Sequence, residues 1–480
     1  MLLTAKYVMP ITAPFIEDGA VLVRDDKIVA VGPAKELKKQ FPEEEVRDFG
    51  LAALSPGFVD LHTHMRYTAL RGLFEDIPYA EWKRAVLRVE PFFSKKDWED
   101  SARLGALEAI ASGITTLADI TIPGSPVKAI HESGLRGLVY REVMTMRPEN
   151  VDAALDEALA DIDRWTKLTS DTDRITYGLA GGPVYATHPK VFKAIAAYVG
   201  DSNMPVAMHL AGSREEAEFI RYGSSSFSVH ASQVAADMDL DLPPWLPAGV
   251  SPVRYVYNWD ILDVPNIMIV HGVQCDETDI KILAQQNVAV AHCPRINAKL
   301  GMGFAPVNAM LEAGMTVGIG TDSPAAVDTT DMLDEMRVGL MINRAVNAGK
   351  HCGMTGEKML RMGTIDAAKA LRMDHLIGSL EPGKKADIIA VDLHNSHQNP
   401  TSDPAAAVIY TANQDNVKWT MVDGKVLYDN FVHVSGMPRD EIVQTAREIR
   451  NRVRHGVNDE ELRSQILKRM EEDASDRLKR

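Results

Sequence analysis

The chain has 480 residues but only three cysteines, Cys275, Cys293 and Cys352, and none forms a Cys-x-x-Cys pair. An odd, widely spaced set excludes a disulfide framework and points to a reducing, cytoplasmic setting. No apolar run reaches the roughly 18 residues that a membrane-spanning helix needs, so no membrane partner is expected. The opening MLLTAKYVMPITAPF lacks a basic segment followed by a long apolar core, so no signal peptide is expected. Positive charge is also in deficit: 52 Lys and Arg stand against 67 Asp and Glu, a net charge of −15. That excludes the basic surface a nucleic-acid partner requires. No internal repeat and no low-complexity stretch is present, which gives no sign of a solenoid.

What is present is the composition of a globular protein, 45% hydrophobic and 25% charged. The length admits one large barrel with additions, or two to three ordinary domains. The first fifty residues read as short strands and turns. GAVLVRDDKIVAVG is a hairpin signal, two apolar runs around Arg24-Asp25-Asp26-Lys27. From Pro56 the texture changes to short apolar runs separated by helical stretches. The runs lie at 57–64, 114–120, 135–143, 175–182, 205–212, 267–273, 288–294 and 316–322. Eight such βα units predict an α/β fold, the (β/α)8 TIM barrel. After Leu380, EPGKKADIIAVDL and KWTMVDGKVLYDN return to strand texture. They are expected to pair with the N-terminal strands in a small β-sandwich domain built from both ends of the chain. The expected division is 1–55 and 381–435 for the sandwich, 56–380 for the barrel and 436–480 for a helical tail. The segment 219–257, rich in Ser, Pro and Asp, reads as an insertion over one barrel end and a candidate lid. The tail reads as a solvated surface helix, with a homo-oligomer contact as the alternative.

In this architecture chemistry sits at the C-terminal ends of the strands. The first run ends in His62 and His64, whose i, i+2 spacing puts both on one face of a strand. The fifth, sixth and seventh carry His209, His271 and His292, and the eighth ends in Thr321-Asp322-Ser323. Any one of these could be an ordinary hydrogen-bonded histidine. Together, two or three neutral imidazoles and a carboxylate suit a divalent metal with an open position. Zinc fits best, with Fe2+ or Mn2+ as alternatives. Such an ion lowers the pKa of bound water toward neutrality. Asp322 would then move the proton to a leaving group, and His271, if off the metal, would polarise the attacked group or steady the hydroxide. His292, Trp82 and Arg71 are further candidates for lining the substrate pocket.

Longer stretches carry a resemblance: PGFVDLHTH, TALRGLFEDIPYAEW (68–82), MHLAGSREE (208–216), HGVQCDETDI (271–280), AHCPRINAKLGMGFAPV (291–307), GIGTDSPAAVDTTDMLDEMR (318–337) and IGSLEPGKKADIIAVD (377–392). The chain resembles the amidohydrolase superfamily, in particular the branch with adenosine-type and S-adenosylhomocysteine deaminases, guanine deaminase and triazine chlorohydrolases. The resemblance spans about 19–430. It implies metal ligation by His62, His64, His209 and Asp322, and His271 beside the bound water or substrate.

Two positions depart from that pattern. The deaminases of this branch place a proton-shuttling Glu three residues after the strand-five His; here that residue is Gly212. Where related deaminases often have a His on strand four, this chain has Gly182. Without that acid, attack on an aromatic ring carbon is disfavoured, typically by about 10²–10⁴ in rate. The glycines are expected to enlarge the pocket. The expected function is metal-dependent hydrolysis of a non-peptide C–N bond in a small, heterocyclic molecule. Hydrolytic dechlorination, amide or urea hydrolysis, or a non-catalytic binding barrel are the alternatives.

Overall fold

The computed structural model describes residues 1–200, 202–225, 247–347 and 353–458. Its centre is a nearly closed barrel of eight parallel strands in chain order. They are Phe58–Thr63, Ile114–Thr121, Arg136–Val143, Ile175–Gly181, Val206–Leu210, Ile267–His271, Ala289–His292 and Val317–Ile319. Each falls inside or within a residue of its expected run. These strands are apolar on both faces because side chains fill the interior and helices cover the outside. Leu61, Val139, Leu179, Ile269 and Val290 are all fully buried.

The seam between the first and eighth strands is closed by polar groups. The Asp322 N–H donates to His62 O at 2.7 Å, and Thr63 bridges to Asp322. Asp60, at 0% exposure, reaches across the same seam. Its Oδ1 accepts from Thr321 N at 2.9 Å and His62 N at 3.2 Å, and its Oδ2 accepts from Thr321 Oγ1 at 2.6 Å. The last turns of both strands, where the candidate ligands sit, are therefore locked to each other.

A separate nine-stranded sheet takes strands from both chain ends, Leu2–Val8 to Ala52–Pro56 and Ile388–Asp392 to Val432–His433. The predicted hairpin is its edge, with Arg24 opposite Lys27. Ala52–Pro56 pairs with Leu2–Val8 on one side and Ile388–Asp392 on the other. From there the chain enters the barrel through Gly57. A Cβ at Gly57 would lie 2.1 Å from Thr115, so only glycine passes. The two parts are clamped by buried Arg136, whose Nε donates to Asp387 Oδ2 at 3.0 Å and whose Nη2 donates to Asp423 Oδ1 at 3.1 Å.

The C-terminal helix Arg439–Asn458 is not solvated all round. Ile442, Ala446, Ile449 and Val453 recur at helical spacing and are buried. They pack toward the helix Lys95–Ala111, which starts from a Ser94–Asp97 capping box. Residues 459–480 of the tail, residues 226–246 of the candidate lid, and Cys352 lie outside the described residues. Among the described residues, no helix is long and apolar enough to cross a membrane.

Candidate active site at the barrel mouth

Five of the predicted residues converge at the C-terminal ends of four strands. His62 Nε2 lies 3.2 Å from His209 Nε2, which lies 3.3 Å from His64 Nε2. Asp322 Oδ2 lies 3.6 Å from both His62 Nε2 and His271 Nε2. Backbone conformation helps to aim these groups. His271 and Asp322 have φ of 78° and 64°, a region that side-chain-bearing residues rarely adopt. Each turns the chain sharply, His271 at the end of its strand and Asp322 just past its own. Such local strain persists where surrounding structure imposes it, often at functional sites.

Burial holds the imidazoles of His62, His64 and His209 well below the usual histidine range, so all three are neutral. Burial likewise takes His271 down to about 4. His64 Nδ1 lies 3.0 Å from Ile120 O, and a carbonyl only accepts, so Nδ1 carries the hydrogen and Nε2 presents a lone pair. His271 Nδ1 is held by Asn297 Oδ1 at 3.1 Å. Burial raises Asp322 to about 7, and its Oδ2 has no hydrogen-bond partner among the described residues. The Nε2 atoms of His62, His64 and His209 thus lie together, with the Asp322 carboxylate beside His62. Wherever these nitrogens present lone pairs, a cation among them relieves their repulsion. The donor set, three nitrogens and one oxygen, fits a zinc-like divalent ion.

The cluster opens into a cavity of about 520 Å³, a size suited to a small molecule. Trp82 lines it, as expected, with its indole N–H donating to Ala325 O at 3.2 Å. Arg71 does not: at the end of a 3-10 turn it points away and pairs with Glu108. His292 is also not in the cavity wall. It is buried with its ring edge-on to Phe304, and burial takes it down to about 3.

The two glycines do not enlarge the pocket. A Cβ at Gly212 would come within 3.0 Å of His271 Cδ2 and 3.3 Å of Met302 Cε, and one at Gly182 within 2.5 Å of Thr187 Oγ1. Neighbouring side chains have closed over both positions. Nor does Glu216 replace the missing acid, because its carboxylate accepts from the N–H of Ala211 at 2.7 Å and Gly212 at 3.1 Å. Gly212→Ala is therefore expected to lower kcat several-fold by tilting His271, with little change in melting temperature. Steady-state kinetics on the variant checks this.

Other wall residues were not anticipated: Tyr79, Lys83, Glu142 and Tyr185. Tyr79 and Tyr185 share a hydrogen bond. Tyr79, Trp82, Lys83 and Val86 repeat at spacings of three and four on the helix Tyr79–Val89, a pattern that marks one face. That stripe was readable, since a lysine in it is out of place for a core.

Residues 53–427 match the family model described as amidohydrolase family, and 19–43 match one for an imidazolonepropionase-like composite domain of bacteria. The chain belongs to the amidohydrolase family. It is an enzyme acting on carbon–nitrogen bonds other than peptide bonds. It is 32% identical over 429 residues to a 5-methylthioadenosine/S-adenosylhomocysteine deaminase of Symbiobacterium thermophilum, covering 88% of this chain and 92% of the relative. A crystal structure of an adenosine deaminase from Xanthomonas campestris with bound zinc superposes with a TM-score of 0.81 at 26% identity, covering 95% and 98% of the two chains. A zinc complex of the atrazine chlorohydrolase of Arthrobacter aurescens shares the fold, with a TM-score of 0.80 at 22% identity over 94% and 99%.

Proposed function

We propose that the protein is a metal-dependent hydrolase of a C–N bond in a small heterocyclic molecule, with His62, His64, His209 and Asp322 holding one divalent ion, zinc. The observation that carries this is the clustering of the three imidazole nitrogens, with an Asp322 oxygen that has no hydrogen-bond partner among the described residues beside His62, where the cavity meets the strand ends. When bound, the ion supplies Lewis acidity, polarising substrate and acidifying water. The zinc bound to the Xanthomonas campestris adenosine deaminase supports that choice.

The chain's own groups divide the remaining work. Asp322, the carboxylate beside His62 and His271, would accept a proton from water and release it to the departing nitrogen. His271, fixed by Asn297, faces Asp322 and orients the attacked group. The wall of Trp82, Ile120, Ile122, Met144 and Met146 holds a flat ring and excludes water.

Among the described residues, Asp322 is the only carboxylate with an oxygen within 4.0 Å of any of these imidazoles, and it reaches His62 and His271. One carboxylate can serve a carbonyl carbon, which needs no ring nitrogen protonated as water adds. This favours cyclic amides, ureides and amides over 6-aminopurines. The test is a hydrolysis panel on metal-loaded protein: methylthioadenosine, S-adenosylhomocysteine, pterins, cyclic amides, ureas and chlorotriazines. Ammonia, alkylamine and chloride are scored separately. Turnover of cyclic amides or ureas above the purines is expected. Faster release of ammonia from methylthioadenosine would overturn the substrate preference, and no C–N cleavage anywhere would overturn the reading.

A further inference from the structure

Beyond the imidazoles and Asp322, four charged side chains line the cavity: Arg66, Lys83, Glu90 and Glu142. Arg66 and Glu90 satisfy each other at 2.9 Å, and the Tyr67 hydroxyl bonds to both. Lys83 is different. Among the described residues no carboxylate oxygen lies within 4.0 Å of its ammonium, and it makes no hydrogen bond. Yet its charge reaches His64, His209, His271 and Asp322 on one side and Glu142 on another. It thus stands beside the reacting centre, half-buried among Trp82, Val86 and Leu87.

A half-buried ammonium on an apolar wall gains from an anionic partner, and a leucine or methionine would pack the same face of the helix without needing one. Glu142 does not neutralise it by direct contact, although both line one chamber. With no counter-ion among the described residues, a ligand anion can supply the partner. We propose that Lys83 pairs with a carboxylate on the substrate, so that the substrate class, resting on the hydrolase reading above, is a small heterocycle carrying an anionic group near the scissile C–N bond. Lys83 thereby fixes which carbon is presented to the imidazole cluster. Arg66, already paired with Glu90, is not needed for this.

The test is a binding measurement that requires no turnover. Metal-loaded full-length protein is titrated calorimetrically with nicotinate and with 3-acetylpyridine, which have similar shapes but differ in charge. Nicotinate is expected to bind about tenfold or more tightly, the range for a charge-assisted hydrogen bond. Lys83→Met is expected to abolish the preference and Lys83→Arg to keep it. The two variants separate pairing at Lys83 from any attraction of the carboxylate to the metal. Equal affinity in the wild type, binding of neither compound, or an undiminished preference in Lys83→Met overturns the proposal. If the preference stands while the hydrolysis panel is silent, the reaction assignment fails and the anion site does not. Hydrolysis without the preference means the reverse.

Discussion

Asp322→Asn is expected to lower kcat by about 10³-fold or more while leaving the fold in place. The two halves of that expectation have different origins. Asp322 contributes to the barrel through its backbone, whose N–H donates to His62 O at 2.7 Å, and asparagine keeps that bond. Its Oδ1 accepts from the Ser323 N–H at 2.7 Å, which the amide oxygen of asparagine also does. What asparagine cannot do is accept and return a proton, or offer an anionic oxygen at the position of Oδ2. Circular dichroism and thermal melts should superpose on the wild type, and single-turnover kinetics should collapse. More than a few per cent of wild-type kcat in this variant would move the proton carrier elsewhere.

Asp60→Ala is expected to destabilise the protein by roughly 3–5 kcal/mol, a large part of the about 5–15 kcal/mol of a typical domain. Three donors lose their acceptor at once: His62 N, Thr321 N and Thr321 Oγ1. All belong to fully buried residues, where an unsatisfied donor costs about 1–3 kcal/mol. Loss of the seam also frees His62 and Asp322, so activity should fall with stability. Asp60→Asn is the informative partner. Its amide oxygen keeps both backbone donors, and its NH2 group faces Thr321 Oγ1, which accepts once its own hydrogen rotates away. Burial raises Asp60 to about 7, so a neutral side chain also avoids a desolvation penalty. The asparagine variant should therefore lose about 1 kcal/mol or less, as one hydrogen bond is exchanged for another. Urea unfolding midpoints compare the two, and equal losses would assign the role to charge rather than to hydrogen bonding.

The barrel was legible because its strands are short apolar runs ending in polar residues at a repeated position, as at His62, His209, His271 and Asp322. That regularity is physical: parallel strands buried on both faces must be apolar until they reach the mouth. The cluster of imidazoles followed from the same register. The pocket wall was less legible, since it depends on which face each following segment turns inward. Arg71 and Trp82 both lie in the stretch 68–82, yet Trp82 lines the cavity while Arg71 pairs with Glu108. Lys83 stands one position past that stretch. His292 occupies a strand position like that of His271, but it is buried against Phe304 and does not line the cavity. The space around Gly182 and Gly212 was beyond any sequence pattern, because it depends on how Thr187, Met144 and His271 repack against missing side chains.

The central claim is that His62, His64, His209 and Asp322 form one divalent-metal site. It is tested most directly by elemental analysis of full-length protein purified without chelator and dialysed against dilute zinc. One tightly held ion per chain is predicted for the wild type, with none retained by the His62→Ala/His209→Ala double variant. A metal-free wild type, or a double variant that still holds a full equivalent, would contradict it.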